Sequence, residues 1–189
     1  MKKMIQQIVE DSIDVKKKAF AKNQTQIIRA AESVMAAMKA HRTLFLFGNG
    51  GSAADSQHIA AEFIGRFQKE RESWPAVALT TDTSILTALS NDYSYDCVFA
   101  RQLEGLAKKG DVAIGISTSG NSRNVIEGIQ QARKMGLTTI SLTGGDGGKL
   151  APCSDIRIIV PSTKTARVQE SHICILHTIC ELVEDALVK

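Results

Sequence analysis

The chain has 189 residues, 43 % of them apolar and 23 % charged, the composition of a folded globular domain rather than of a disordered chain. A net charge of +3, from 23 basic and 20 acidic residues, is too small to argue for nucleic acid as a partner. The longest apolar runs fall short of the ~20 residues a membrane-spanning helix needs, and Gln6 and Gln7 interrupt the N-terminus before a secretory core could form. Four cysteines without paired spacing (Cys97, Cys153, Cys174, Cys180) fit free thiols in a reducing cytoplasm.

Residues 1–41 hold two helical patterns. Ile5, Val9 and Ile13, widened by Ile8 and Phe20, form the first, and Ile27, Ala31, Val34 and Met38 the second. From 42 to 166 the texture changes. Apolar, β-rich runs at 43–47, 76–80, 112–116, 139–142 and 156–160 alternate with helical segments at about 52–66, 84–90 with 96–108, and 122–135. Most of these runs are apolar at successive positions, as in strands covered on both faces. Such alternation predicts an α/β fold with a parallel sheet and helices on both sides. No linker or repeat divides the chain, so 1–189 is expected to be one domain. Residues 167–189 read as a closing helix with two apolar stripes, one through Ile173, Leu176, Cys180, Val183 and Leu187, the other through Ile175, Ile179, Leu182 and Ala186. A helix apolar on two faces is buried on two sides, and one of those sides is expected to meet another subunit.

Three loops follow strands and should converge at the carboxyl edge of the sheet. The first, Gly48 to Ser52, lets the backbone approach a ligand closely and opens a helix N-terminus. It matches neither a dinucleotide fingerprint nor a P-loop. The second, Ser117 to Ser122, places four hydroxyls at a strand-to-helix junction. Capping needs only one of them, so a phosphate held by hydroxyls and helix N–H groups is the better reading. The third, Thr143 to Gly148, is rich in glycine but poor in functional side chains, and reads as a flexible turn.

Metal-ligand candidates also occur. His58 and Glu62 lie one turn apart on one helix face, with Asp55 on the same side. Gln169 and His177, near Glu170 and His172, are eight residues or ~12 Å apart on the closing helix, which strains a shared ion. A His/Glu/Gln/His set would suit zinc. Asn91 and Asp92 fit a turn, and Cys174 and Cys180 fit core positions.

Taken together, Gly48 through His58, Glu62 with Gly65 and Arg66, Ala88 through Asn91, Asp92 and Tyr93, the loop 117–122, and Thr165 through His172 with His177 resemble the sugar-isomerase (SIS) family, and within it the isomerases of phosphorylated heptoses. The resemblance implies a three-layer αβα sandwich with a five-stranded parallel sheet, assembled as a homotetramer with sites between subunits. It implies conversion of sedoheptulose 7-phosphate to D-glycero-D-manno-heptose 7-phosphate through an enediol, in bacterial heptose biosynthesis for lipopolysaccharide or other surface glycans. It further implies phosphate on Ser117, Thr118, Ser119 and Ser122, and the sugar against Asn49, Gly50, Gly51, Asn91 and Asp92, with His58, Glu62 and Gln169 also in contact. One zinc is expected on His58, Glu62, Gln169 and His177, and Glu62 with His177 as the acid/base pair. The alternative is a non-catalytic SIS tetramer that binds a replication initiator. That relative lacks Glu and His at the positions of Glu62 and His177, so their presence here favours an enzyme. Ser94 and Arg123 depart from the common pattern without removing a proposed catalytic group.

Overall fold

A computed structural model describes residues 1–188. The chain runs α1 (Lys2–Lys39), β1 (Leu44–Gly48), α2 (Gly51–Ile64), β2 (Ala76–Ala78), α3 (Thr83–Asp92), α4 (Val98–Leu106), β3 (Val112–Ser117), α5 (Arg123–Lys134), β4 (Thr138–Gly144), β5 (Ile156–Val160) and α6 (Thr165–Leu187). All five strands are parallel, in the order β2-β1-β3-β4-β5. The expected sheet and its two helical layers are therefore present.

The successive apolar residues of β1 explain the layering. Leu44 and Leu46 point into a core built with α1, α2 and α6, whereas Phe45 and Phe47 point into a second core built with α4 and α5. Phe47 meets Phe99 there, with ring centroids 5.2 Å apart. Gly128 on α5 lies against Phe47, where a Cβ would come within 2.8 Å of its ring.

One expectation is corrected at the N-terminus. The two patterns of residues 1–41 are a single helix of 38 residues, roughly 57 Å long. No glycine or proline interrupts it, and the polar stretch between the patterns holds Asn23, which is buried for a specific reason. Its Nδ2 donates to the Ile159 carbonyl at 3.0 Å and its Oδ1 accepts from the Ile159 N–H at 3.0 Å. One carboxamide thus satisfies both backbone groups of Ile159 on β5 and helps to blunt that edge strand.

The closing helix differs too. Its two-sided burial is met largely within the chain, where Leu176, Cys180 and Val183, with Ile175 and Ile179, sit in the core against α1, α2 and the sheet. Leu182 of α6 remains exposed, and the densest run of uncovered apolar residues is on α1, where Met4, Ile5, Ile8, Val9 and Ile13 are exposed.

Candidate functional site

The strand order reverses between β1 and β3, and at such a point two neighbouring strand ends diverge into a crevice. The loops after these two strands are the first and second loops of the sequence reading. A pair of carboxamides joins them. Asn49 Nδ2 donates to Asn124 Oδ1 and Asn124 Nδ2 donates to Asn49 Oδ1, each at 2.9 Å. The Tyr95 hydroxyl also donates to Asn49 Oδ1, at 3.2 Å. Asn124 and Tyr95 were not among the residues expected at the site. The clue for Asn124 was an uncharged amide in the first turn of an otherwise apolar-striped helix.

The first loop turns through Gly50, whose φ of 55° favours glycine. Gly51 has no such angle but faces Gln169, and a Cβ there would come within 2.2 Å of the Gln169 Nε2. Gln169 from α6 therefore rests on the first turn of α2.

In the second loop, the Ser117 and Ser122 hydroxyls lie 3.0 Å apart. Ser122 occupies the N-cap of α5 but makes no side-chain cap bond, so its hydroxyl and the helix N-terminus are not consumed by each other. Ser119 Oγ is exposed and accepts from the Asn121 N–H. The third loop turns out to be a support rather than a free turn. Gly120, at φ 66°, packs so closely on the third loop that a Cβ would come within 2.2 Å of the Gly147 carbonyl oxygen. The Leu150 N–H donates to the Gly120 carbonyl and the Gly144 N–H to the Thr118 carbonyl. A cleft of about 980 Å³ opens from Thr118 and Ser119 past Gly144 to Lys164 and Arg167.

His58, Glu62 and His177 form the chemical cluster. One ligand atom from each lies within 4.8 Å of the other two. His58 Nε2 stands 2.9 Å from His177 Nε2 and 3.4 Å from Glu62 Oε1. The imidazoles meet edge to face, and the Phe67 ring also lies against His177, with centroids 5.6 Å apart. Burial, with the neighbouring His58 charge, depresses the His177 pKa against the opposing pull of Glu62. His177 is thus held neutral, the form that binds metals and accepts protons. Asp55 shares this helix face. Its Oδ2 is buried without a partner, and burial raises its pKa while His58 opposes. Two imidazoles and a carboxylate fit zinc or a similar divalent metal.

The remaining expected residues are less concentrated. Gln169 rests on Gly51, in the first turn of α2. His58, Glu62 and His177 form one cluster, and Gln169 stands at the start of the helix that carries His58 and Glu62. Asn91 and Asp92 end α3 exposed, with Asn91 Nδ2 donating to Asp92 Oδ1 at 2.8 Å. Among the described residues no hydrogen bond ties them to the other candidates. His172 is fully buried, its Nε2 3.1 Å from the Thr143 carbonyl. Glu170 accepts from Ser12 Oγ at 2.6 Å and from Arg167, tying α6 to α1. Both residues are structural. All four cysteines are free, and burial pushes the Cys180 thiol up to about 12.

A parallel sheet of this order, with a glycine loop and a hydroxyl loop at its switch point, defines the class. The SIS domain family model matches residues 8–144. The phosphoheptose isomerase of Aquifex aeolicus is 52 % identical over 185 residues, which cover 98 % of this chain and 97 % of that one. The structure of phosphoheptose isomerase GmhA from Neisseria gonorrhoeae superposes with a TM-score of 0.92 at 42 % identity, covering 97 % and 98 % of the two chains. That of a phosphoheptose isomerase from Francisella tularensis gives 0.91 at 32 % identity, covering 97 % of each. The chain belongs to the phosphoheptose isomerase family of SIS-domain proteins.

Proposed function

We propose that this chain interconverts sedoheptulose 7-phosphate and D-glycero-D-manno-heptose 7-phosphate through an enediol, in bacterial heptose biosynthesis for lipopolysaccharide or another surface glycan. The observation that carries the reading is the meeting of His58, Glu62 and His177 from two helices, on a fold shared with phosphoheptose isomerases over nearly its whole length.

The reaction moves a proton from C1 to C2 and exchanges a proton between the two oxygens. Ser117, Thr118, Ser119 and Ser122, with the N-terminus of α5, hold the phosphate. That binding is remote from C1 and C2 and serves to fix their geometry. Asn49, Gly50 and Gly51, with Asn91 and Asp92, line the sugar. Glu62 takes the carbon-bound proton from C1 and, after exchange with solvent, returns one to C2. Neutral His177 can give or take a proton at the carbonyl oxygen. His58, Glu62 and His177 would hold a divalent metal, zinc by the family pattern. When bound, it supplies polarisation of the carbonyl and stabilisation of developing negative charge. Glu62 has two oxygens, and Oε1 is the one that faces His58, so one can serve as ligand while the other moves the proton. Gln169, against Gly51, borders the sugar and is the fourth ligand by the family pattern.

The cleft at the hydroxyl loop is not walled by His58, Glu62 or His177, and the apolar side of α1 is uncovered. Both features support a homotetramer in which neighbouring subunits complete each site. No described helix is long and apolar enough to cross a membrane, in keeping with a cytoplasmic enzyme acting on a small sugar phosphate. Purified protein incubated with sedoheptulose 7-phosphate should form the aldose. No aldose with zinc supplied would refute the activity.

A further inference from the structure

A second cluster of charge lies directly beyond Glu62 and His177. Arg71 and Glu184 are only 5 % and 2 % exposed, with Arg71 Nε 3.1 Å from Glu184 Oε1. A buried ion pair is costly unless its remaining hydrogen-bonding groups are satisfied, and here they are.

The C-terminal end of a helix leaves carbonyls without partners. At the end of α2, Arg71 supplies them. Its Nη2 donates to the carbonyl of Glu62 itself at 2.7 Å, and its Nη1 donates to Phe63 at 2.9 Å and Gly65 at 3.3 Å. A cation at that end also complements the helix dipole. The Trp74 ring backs the guanidinium, whose carbon is 3.8 Å from the ring centroid.

Glu184 lies seven residues after His177 on α6, about two turns along. It accepts the N–H groups of Phe67, Gln68 and Lys69 at 3.1, 2.7 and 2.8 Å. Burial works against its charge, yet these three donors and Arg71 outweigh burial and hold its carboxyl below the usual range. The Phe67 held by this carboxylate is the residue whose ring lies against His177.

Resting on the isomerase reading above, we propose that Arg71 and Glu184 are positioning residues for the reaction. Their buried pair clamps the last turn of α2 to α6, setting where Glu62 stands relative to His177 and keeping Phe67 on the imidazole. Neither touches substrate. A merely structural pair would lower stability and leave the folded enzyme's kinetics alone.

The test compares Glu184→Gln, Arg71→Lys and Phe67→Leu with the parent protein, at a temperature where circular dichroism shows each folded. Phe67→Leu leaves the ion pair intact on a partly exposed segment, so it remains informative if the other two fail to fold. The clamp predicts kcat at least tenfold lower for Glu184→Gln and about threefold lower for Phe67→Leu, with KM within twofold because the phosphate loop is elsewhere. Arg71→Lys, which keeps the charge, should retain more kcat than Arg71→Ala. Unchanged kcat in folded Glu184→Gln or Phe67→Leu overturns the proposal. A readout independent of turnover is the proton spectrum of the His177 ring, which carries the ring-current shift of Phe67. Both variants should move it, and an unmoved signal contradicts the clamp. Absence of turnover in the parent would overturn the isomerase reading, leaving the His177 signal to decide the clamp.

Discussion

In the proposed mechanism a single oxygen at residue 62 decides whether a carbon-bound proton can move. Glu62→Gln keeps the shape and removes the basicity, so turnover should fall by about 10²–10⁴-fold, the usual range for a general base. The fold should persist, because Glu62 makes its structural bond to Arg71 through its backbone carbonyl. Coupled assay of the aldose checks this, and retained full activity removes Glu62 from the mechanism. The hydroxyls answer to a different constant. Ser119 Oγ is exposed and engaged only with its own loop, so Ser119→Ala should cost about 2 kcal/mol of phosphate binding, or roughly thirtyfold in KM with kcat little changed. An unchanged KM argues against that contact. His58 and Glu62 were legible in sequence because a helix puts i and i+4 on one face. Their meeting with His177 was legible only through the family resemblance, because spacing along one helix says nothing about which face of another it will oppose. Asn124 and Tyr95 were illegible for the same reason, since each matters through a partner distant in sequence.

At the scale of elements, the strands were legible because a doubly covered sheet has to be apolar at consecutive positions. The unity of α1 was not, because a buried asparagine reads as a break until its partner on β5 is seen. A second buried polar residue makes α6 and β4 sensitive to acid. His172 is enclosed against Thr143, and burial lowers its pKa to about 4 from an ordinary 6.5, with the Thr143 bond opposing. The unfolded chain therefore takes up the proton first as pH falls. The stability tied to neutral His172 is complete above about pH 6.5 and is lost progressively down to about pH 4. It amounts to about 3 kcal/mol at 1.36 kcal/mol per unit. Urea unfolding at pH 7 and pH 5 should show about 2 kcal/mol of this loss, and His172→Gln should flatten the difference. An equal slope in both proteins contradicts the assignment.

For the whole molecule, the first third of α1 stands outside the core with its apolar residues uncovered. A contiguous apolar surface of this kind marks an interface. Ile5→Glu with Ile13→Glu should convert the assembly to smaller species by light scattering while secondary structure is kept. A protein that is already monomeric, or an assembly indifferent to both charges, counts against that use of α1. The sequence had placed the intersubunit face on α6, because two apolar stripes imply two covers. α1 and the sheet cover most of both stripes, while Leu182 and Ala186 remain exposed and keep that expectation open to the same measurement.

The central claim, proton transfer through an enediol at Glu62 and His177, is tested most directly by running the reaction in D2O and reading the aldose product by NMR. In the proposed mechanism the proton removed from C1 passes to Glu62, a group in reach of solvent, before one is returned to C2. The account predicts D-glycero-D-manno-heptose 7-phosphate with deuterium at C2, formed by the parent protein and not by Glu62→Gln. Product with only protium at C2, or equal deuterium from the variant, would contradict it.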